Sequence, residues 1–327
     1  MADLAQLAGV SVATVSRALA GSAEVSEATR ERIRALARTM NYTVNVGAQT
    51  LRTKVKRTVA LGVPRDPHTD QPISDPFFLA MIGHLADALT TQGFDVLLSR
   101  ASADALAALH DSGVASALLQ IGQLRDHEAL NRLADRGVPL VVWGAQLPDQ
   151  RYCCVGCDNL TGGRLVGAHL AAQGRRRIVF IGDTTLPEPL ARWQGCQAAL
   201  AAAGLALDPA LHLNLLYGID HTRAGIQRLL DAGQRFDAVF ACSDVMAIAA
   251  QAQLRQHGLR VPADVQVIGY DDIAWAAVAD PPLSTVRQAI GPAADAMIDA
   301  LLRQLGGESV GSIELPVEFV VRQSSPG

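Results

Sequence analysis

Hydrophobic positions in the first forty residues recur at helical spacing. Three short apolar stripes, over residues 4–8, 12–19 and 27–40, predict three helices around a small core. Gly9 gives the freedom needed for a tight turn between the first two, and Ser11 can cap the second. This pattern is typical of a helix-turn-helix unit, although a helical cap on a larger domain would show the same stripes.

From residue 59 onward, short apolar runs of strand length alternate with helical stretches such as residues 77–89. The predicted strands lie at residues 59–63, 95–99, 117–121, 140–143, 178–181, 238–241 and 265–269. Strands that alternate with helices predict α/β architecture with parallel, doubly wound sheets. Because about 270 residues exceed one ordinary core, we expect two lobes.

The charge distribution separates the same two parts of the chain. The net charge is −4, but residues 1–57 contain nine Lys/Arg against four Asp/Glu, whereas the rest contains nineteen against twenty-eight. A basic first segment indicates an anionic partner such as DNA. The sequence shows no apolar run long enough to span a bilayer and no signal peptide, so a cytoplasmic protein is expected.

Three of the five cysteines lie close together, and Cys154 and Cys157 form a C-x-x-C spacing beside Cys153. That spacing can indicate zinc or redox chemistry. There is no second Cys/His pair at ligand spacing nearby, and free cysteines are commonly buried. We therefore expect packed thiols at a strand end, with no metal and no cofactor.

The N-terminal strings are more specific than the periodicity. Residues 4–17 read LAQLAGVSVATVSR, residues 25–30 read VSEATR, Asn41-Tyr42 follows, and residues 45–52 read NVGAQTLR. In this register the chain resembles the LacI/GalR family of repressors. The resemblance implies a helix-turn-helix DNA-binding domain over 1–44, a hinge helix and linker over 45–56, and an effector-binding domain over 57–327 with a periplasmic-binding-protein-like fold.

The resemblance also implies roles for individual residues on DNA. Val12, Ala13 and Arg17 match positions that meet base edges in the major groove, where Arg17 can bridge two acceptors of guanine. Leu51 matches the wedge that opens the central base step from the minor groove. The matching phosphate-contacting positions are Ser11, Thr14, Ser16, Ser26, Thr29, Tyr42 and Asn45.

Three positions depart from the family pattern. Met1 leaves no residues before the first helix, so either the start lies upstream or that helix frays. Ala20 stands where relatives often have a phosphate-binding Asn. Gly47 lies within the expected hinge helix, where it either allows two such helices to approach or weakens the helix by about 1 kcal/mol.

In the effector domain, the resemblance implies two Rossmann-type lobes between which the chain passes three times. The crossings are expected near residues 157–158, 287–289 and 313–315. The N-lobe then comprises about 57–157 and 289–313, and the C-lobe about 158–286 and 314–327. A ligand is expected between the lobes, at the carboxyl ends of the strands.

Candidate ligand contacts lie at strand ends and in loops. Arg192, in RWQG, matches a family arginine, and its fork of five donors suits polyols. Asp271, in GYDD, matches a family acid, with turn capping as the alternative. Core packing or a helix-start contact is the alternative for the aromatic candidates, and Ser243 replaces the Asn common in relatives. The full set is Phe77, Phe78, Trp143, Arg192, Ser243, Asp271 and Gln288.

These expectations favour a transcriptional regulator, most simply a repressor, controlled by a sugar. A homodimer is expected, because a symmetric dimer can read a palindromic operator. The sequence lacks the leucine heptads that make some relatives tetrameric. One alternative is a sugar-metabolising α/β enzyme, but the sequence contains no phosphate-binding loop, G-x-G-x-x-G or G-x-S-x-G motif. The other is a periplasmic-type sugar-binding protein, which would leave the basic N-terminal segment without a role.

Overall fold

The computed structural model describes residues 2–19, 22, 24–40, 57–64, 71–100 and 102–327. The chain divides into two compact units, Met1–Lys56 and Arg57–Gly327, each with its own core. The expected hinge helix and linker at 45–56 lie outside the described residues. So do Met1, Ala20, Tyr42, Asn45, Gly47 and Leu51.

The described part of the first unit contains three helices: α1 (Ala2–Ala8), α2 (Val12–Leu19) and α3 (Glu27–Thr39). Gly9 makes the turn between α1 and α2 with φ +60°, a conformation that costs a glycine little. The amide of Thr14 donates to Ser11 Oγ at 3.1 Å, so Ser11 caps α2. The predicted helix-turn-helix arrangement is therefore confirmed.

A small aliphatic core joins these helices. Leu4, Val15 and Ile33, one from each helix, are fully buried. The guanidinium of Arg32 donates to the carbonyl of Ala8 at 2.7 Å and ties α3 to the end of α1. Met40, the last apolar position of the third predicted stripe, is 40% exposed, because α3 ends one residue before it.

The second unit contains two six-stranded sheets. In the first sheet all pairings are parallel, and the strand order is β2-β1-β3-β4-β5-β11. These strands are β1 (Thr58–Gly62), β2 (Asp95–Ser99), β3 (Ala117–Ile121), β4 (Leu140–Trp143), β5 (Cys153–Cys157) and β11 (Ile313–Leu315). Its helices are α4 (Pro76–Thr91), α5 (Ala103–Asp111), α6 (His127–Asp135) and α12 (Ile290–Leu305). We call this part the first lobe.

The second lobe is built around the other sheet, in the order β7-β6-β8-β9-β10-β12. Its strands are β6 (Ile178–Ile181), β7 (His212–Leu213), β8 (Ala238–Ala241), β9 (Gln266–Asp271), β10 (Ser284–Gln288) and β12 (Val317–Val320). Only the pairing of β10 with β12 is antiparallel among the described strands. Its helices are α7 (Asn159–Ala172), α8 (Pro187–Ala202), α9 (Ile219–Asp231), α10 (Asp244–Gln256) and α11 (Ala274–Val278).

The chain passes between the lobes at three points. It leaves the first lobe at Asp158, returns at Ala289, and leaves again at Pro316. The last point differs from the expected crossing at 313–315. Residues 313–315 pair along their whole length with β5 of the first sheet, so the chain changes lobes only after Leu315.

The fold class predicted from alternation, two parallel α/β lobes after a helical unit, is confirmed by these sheets. The central strands are recognisable in the sequence because they are buried on both sides, as expected for parallel sheets covered by helices. The edge strands β2, β7, β11 and β12 are more exposed. None of the helices among the described residues is both long and apolar enough to cross a membrane.

Helices α7 and α8 approach unusually closely because glycines line their contact. A Cβ on Gly163 would lie 2.0 Å from the carbonyl oxygen of Arg192, and a Cβ on Gly195 would lie 2.0 Å from that of Leu160. Both obstacles are backbone atoms, which cannot move aside as a flexible side chain would. The close contact fixes α8, and with it Arg192, against the helix that follows the first crossing.

Gly163→Ala should therefore destabilise the protein by roughly 1–3 kcal/mol, the usual cost of overpacking, as measured by urea unfolding. Gly83→Ala is the matched control, because a Cβ there meets nothing within 4 Å on the exposed side of α4. The control should be neutral or stabilising by up to about 1 kcal/mol. Equal effects of the two substitutions would contradict the packing argument.

Candidate functional site

A cleft of about 1040 Å³, partly open to solvent, lies between the two lobes. Its walls are formed mainly by residues that follow the carboxyl ends of strands, as is usual for ligand sites in open α/β sheets. All seven residues proposed from the sequence as ligand contacts line it: Phe77, Phe78, Trp143, Arg192, Ser243, Asp271 and Gln288.

Arg192 is buried in the second-lobe wall, with 7% of its surface exposed. Its Nε donates to Asn159 Oδ1 at 2.8 Å, and its Nη1 donates to the carbonyl oxygen of Cys242. The guanidinium carbon lies 3.6 Å from the ring centroid of Tyr270, a cation–π contact. An arginine stays protonated even when buried, so these contacts hold a fixed positive charge at the cleft.

Asp271 ends β9 and faces the same cleft. Its backbone has φ +113°, a conformation that is uncommon for any residue with a side chain. Gln288, at the second crossing, donates from Nε2 to Asp271 Oδ1 at 2.7 Å. Burial raises the pKa of Asp271 to about 7. Ligand hydroxyls that donate to this carboxylate would stabilise its charged form.

Asp244 and Ser243 lie at the start of α10. Asp244 accepts hydrogen bonds from the hydroxyl of Thr285 at 2.5 Å and from the amide of Ile273 at 2.9 Å. Burial raises its pKa as well. Ser243 caps α10 by accepting from the amide of Met246 at 3.3 Å, so this residue serves the helix as well as lining the cleft.

The aromatic candidates come from the first lobe. Phe77 lies 6.1 Å from Phe78 and 6.2 Å from Trp143, measured between ring centroids. Phe77 and Trp143 are more than nine-tenths buried and belong to the first-lobe core. Trp143 thus makes the core contacts expected under its alternative, Phe77 packs in the same core, and both residues also line the cleft. Phe78 is only half-buried.

In the first unit, one side of α2 is exposed to solvent. Val12 is 47% exposed, and Arg17 pairs with Glu24 at 3.2 Å between Nε and Oε2. Ala13 and Ser26 are exposed too, Thr29 is half-buried, and Ser26 caps α3. Ser16 does not face outward as expected. Only 7% of it is exposed, because it lies beside the buried Val15 at the edge of the core.

Comparison with known proteins accounts for both units. Residues 1–45 match the family model of bacterial regulatory proteins of the lacI family, and residues 168–325 match a periplasmic binding protein-like domain. The transcriptional regulator CelR of Thermobifida fusca is 35% identical over 98% of this chain and 96% of its own. The chain belongs to the LacI family of bacterial transcriptional regulators.

Solved structures of LacI-family regulators agree with the fold. A CelR–cellobiose complex covers 98% of both chains with 33% identity and a TM-score of 0.74. A lac repressor dimer bound to operator and the anti-inducer ONPF covers 99% of this chain and 98% of its own, with 26% identity and a TM-score of 0.85. Both likenesses span the helix-turn-helix unit and the two lobes.

Sequence reasoning about this LacI-family chain missed the contact between Tyr217, which lines the cleft, and Asp75. The hydroxyl of Tyr217, from the second lobe, donates to Asp75 Oδ2 in the first lobe. Asp75 also accepts from the amide of Phe77 at 3.0 Å and so caps α4, and burial raises its pKa. The Asp-Pro pair before an apolar helix could have indicated a cap. Tyr217 stands in a loop without any motif, so no sequence signal could have identified it.

The three cysteines of β5 pack in the interior of the first lobe. All three thiols of β5 are buried and unoxidised, and burial raises the pKa of Cys153 and of Cys157 to about 11. Thiols with such pKa values remain protonated and unreactive near neutral pH. Among the described residues, no cluster of His, Cys, Asp and Glu could hold a metal ion.

The raised pKa of Asp271 predicts a pH-dependent cost of folding. The unfolded pKa is near 3.9, so between about pH 4 and 7 the folded protein binds more protons and loses stability as pH rises. Asp271→Asn retains the acceptor for Gln288 and removes this cost. Its free energy of unfolding relative to wild type, from urea titration, should increase by on the order of 1 kcal/mol from pH 5 to pH 8.

Asp264→Asn is the control with the opposite electrostatics. Hydrogen bonds from Arg260 lower the pKa of the exposed Asp264 to about 2. That group is fully ionised in both states at pH 5 and at pH 8, so its substitution should have the same effect at the two pH values. If the change in the free energy of unfolding caused by Asp271→Asn were also independent of pH, the raised pKa of Asp271 would be contradicted.

Proposed function

We propose that this regulator binds a palindromic operator as a homodimer and that a sugar bound in the interlobe cleft controls its grip on DNA. The main support is that a fixed guanidinium, that of Arg192, and a buried acid, Asp271, line the same cleft. Together they offer donors and acceptors to a molecule rich in hydroxyl groups. Repression is the simplest mode of action.

The relatives support the sugar proposal. One similar solved structure is a complex with cellobiose, and the cleft has the lining that a sugar ring needs. Carbohydrates combine hydroxyl edges with apolar faces, and aromatic rings can stack on those faces. Phe78 offers such a ring, and further apolar lining comes from Ile121, Leu124, Leu186, Leu215 and Leu216.

The proposed organisation follows the sequence boundaries: a DNA-binding domain over 1–44, a hinge and linker over 45–56, and the effector domain from 57 onward. A two-fold dimer suits a palindromic site, because each protomer then reads one half. A similar lac repressor structure is a dimer on its operator. A regulator of this kind works in the cytoplasm, where bacterial DNA lies, and we assign it no catalytic role.

The sugar proposal is tested by a thermal-shift screen with cellobiose, D-glucose and D-ribose. A ligand present at about 100 times its dissociation constant adds about 2.7 kcal/mol of stability. A shift that disappears in a cleft variant supports binding at this site. If neither these sugars nor a wider sugar panel shifts the transition, the effector is of another class.

Arg17 should be the principal base-reading residue of the DNA-binding domain. Arg17→Ala should cost about 1–3 kcal/mol of operator binding and relax specificity at one base pair in each half-site. Selection of binding sites from a random DNA library, followed by gel-shift titration, measures both effects. Arg34→Ala removes the same charge from α3, where Arg34 pairs with Glu31, and should leave the base preference unchanged. Selected sites without a palindrome would contradict the dimer model.

Arg192→Lys should remove the response to the effector. Lysine keeps the charge but cannot reproduce the fork that binds Asn159, the Cys242 carbonyl and a ligand together. We expect sugar affinity, measured by calorimetry, to fall at least about tenfold, which corresponds to about 1.4 kcal/mol. Operator affinity without sugar should stay near that of wild type. Unchanged sugar affinity would show that the effector does not contact Arg192.

A further inference from the structure

Asp272 follows the cleft acid Asp271 and turns away from the cleft. It has φ +55°, so two consecutive residues with side chains occupy uncommon positive-φ conformations. Such conformations persist only where the surroundings hold them. The Asp272 side chain is 9% exposed and lies between two arginines.

Both arginines contact Asp272 closely. Arg287 donates from Nε to Asp272 Oδ2 at 2.7 Å, and Arg322 donates from Nη2 to Asp272 Oδ1 at 2.7 Å. Arg322 is itself anchored, because its Nη1 donates to the carbonyl of Leu283 at 2.8 Å. Each carboxylate oxygen therefore has its own charged donor, which makes a strong and directional pair of bonds.

Of the two arginines, Arg287 lies next to a crossing between the lobes, whereas Arg322 follows β12 within the second lobe. Arg287 is on β10, immediately before Gln288, which donates to Asp271, and before the crossing at Ala289. Arg287 also pairs with Glu318 at 2.7 Å, and Glu318 is on β12, just after the crossing at Pro316. Through Arg287, the loop over 271–273 is thus bonded to β10 and, by way of Glu318, to β12, the strands next to two of the three crossings.

We propose that Asp272 is a positioning residue whose ion pairs with Arg287 and Arg322 hold Asp271 in its ligand-binding orientation and tie that orientation to two crossings between the lobes. This inference rests on the proposed function in that it takes Asp271 as a ligand contact. Asp271 meets the ligand, Asp272 meets the crossing strands, and the two are adjacent on a strained backbone. Movement of one lobe relative to the other therefore changes the orientation of the Asp271 side chain.

Two substitutions distinguish this positioning role from the alternative that Asp272 only adopts the positive-φ conformation of the turn. Asp272→Asn keeps the shape and a residue type that accepts positive φ, but it loses the charge. Asp272→Gly relieves the backbone strain and also loses both ion pairs. If the ion pairs position the loop, both variants should fail in the same way. If Asp272 only satisfies the turn, the glycine variant should match or exceed wild type.

Amide hydrogen exchange on the full-length protein is the main measurement. In both variants, exchange at the Ile273 amide and in residues 286–290 and 316–320 should accelerate by about tenfold or more, since breaking a poorly solvated pair leaves a charge uncompensated. Arg287→Gln removes the more exposed arginine and should give a smaller change in the same direction. The control Asp135→Asn breaks an exposed pair with Arg151 in the first lobe and should leave these segments unchanged.

Calorimetry with cellobiose, D-glucose and D-ribose provides the second readout. A sugar that binds wild type should bind Asp272→Asn about tenfold more weakly while operator affinity without sugar is retained. Wild-type exchange in the asparagine variant, or wild-type behaviour of the glycine variant, would overturn the proposal. Failure of all three sugars to bind wild type would count against the proposed effector class and leave the exchange result to decide the role of Asp272.

Discussion

The burial of the Arg192 guanidinium constrains much of the second unit. A buried charge must be paired or hydrogen-bonded, and the partners of this one come from three elements: Asn159 at the start of α7, the chain after β8, and Tyr270 on β9. Helix α8 must also lie close to α7, which the glycines of their contact permit. Strand ends, a crossing and a helix pair are thereby fixed around one charge.

The same region contains several acids that burial disfavours. The pKa values of Asp75, Asp271, Asp244 and Glu188 are all raised by loss of solvent. Asp271 and Asp272 add backbone conformations that side chains rarely adopt. Buried acids and strained backbone both lower stability, and such features are expected to cluster at binding sites rather than in the supporting core. The surrounding sheets, with aliphatic strands buried on both faces, supply the stability that offsets them.

Much of this arrangement could be predicted from the sequence because it depends on local patterns. The strands are short apolar runs, and the family resemblance marks both the motif around Asp271, at the end of β9, and the motif around Arg192, within α8. The Tyr217–Asp75 contact joins residues 142 positions apart without any periodic signal. Ser16 and Met40 were misjudged because helical spacing indicates a face but not how far the small core extends. The third crossing lies at Pro316 because residues 313–315 pair with β5, and this long-range pairing leaves no local signal in the sequence.

The bonds between the lobes have a kinetic consequence. Tyr217 reaches Asp75, and Arg125 donates to Thr185 at 3.0 Å, so hydrogen bonds join the two lobes across the cleft. A molecule too large for the remaining opening can enter or leave only after such bonds break. Exchange of a bound molecule is then limited by the rate of lobe separation rather than by diffusion. For such a molecule, the residence time would then depend on the contacts between the lobes as well as on its own contacts with the cleft.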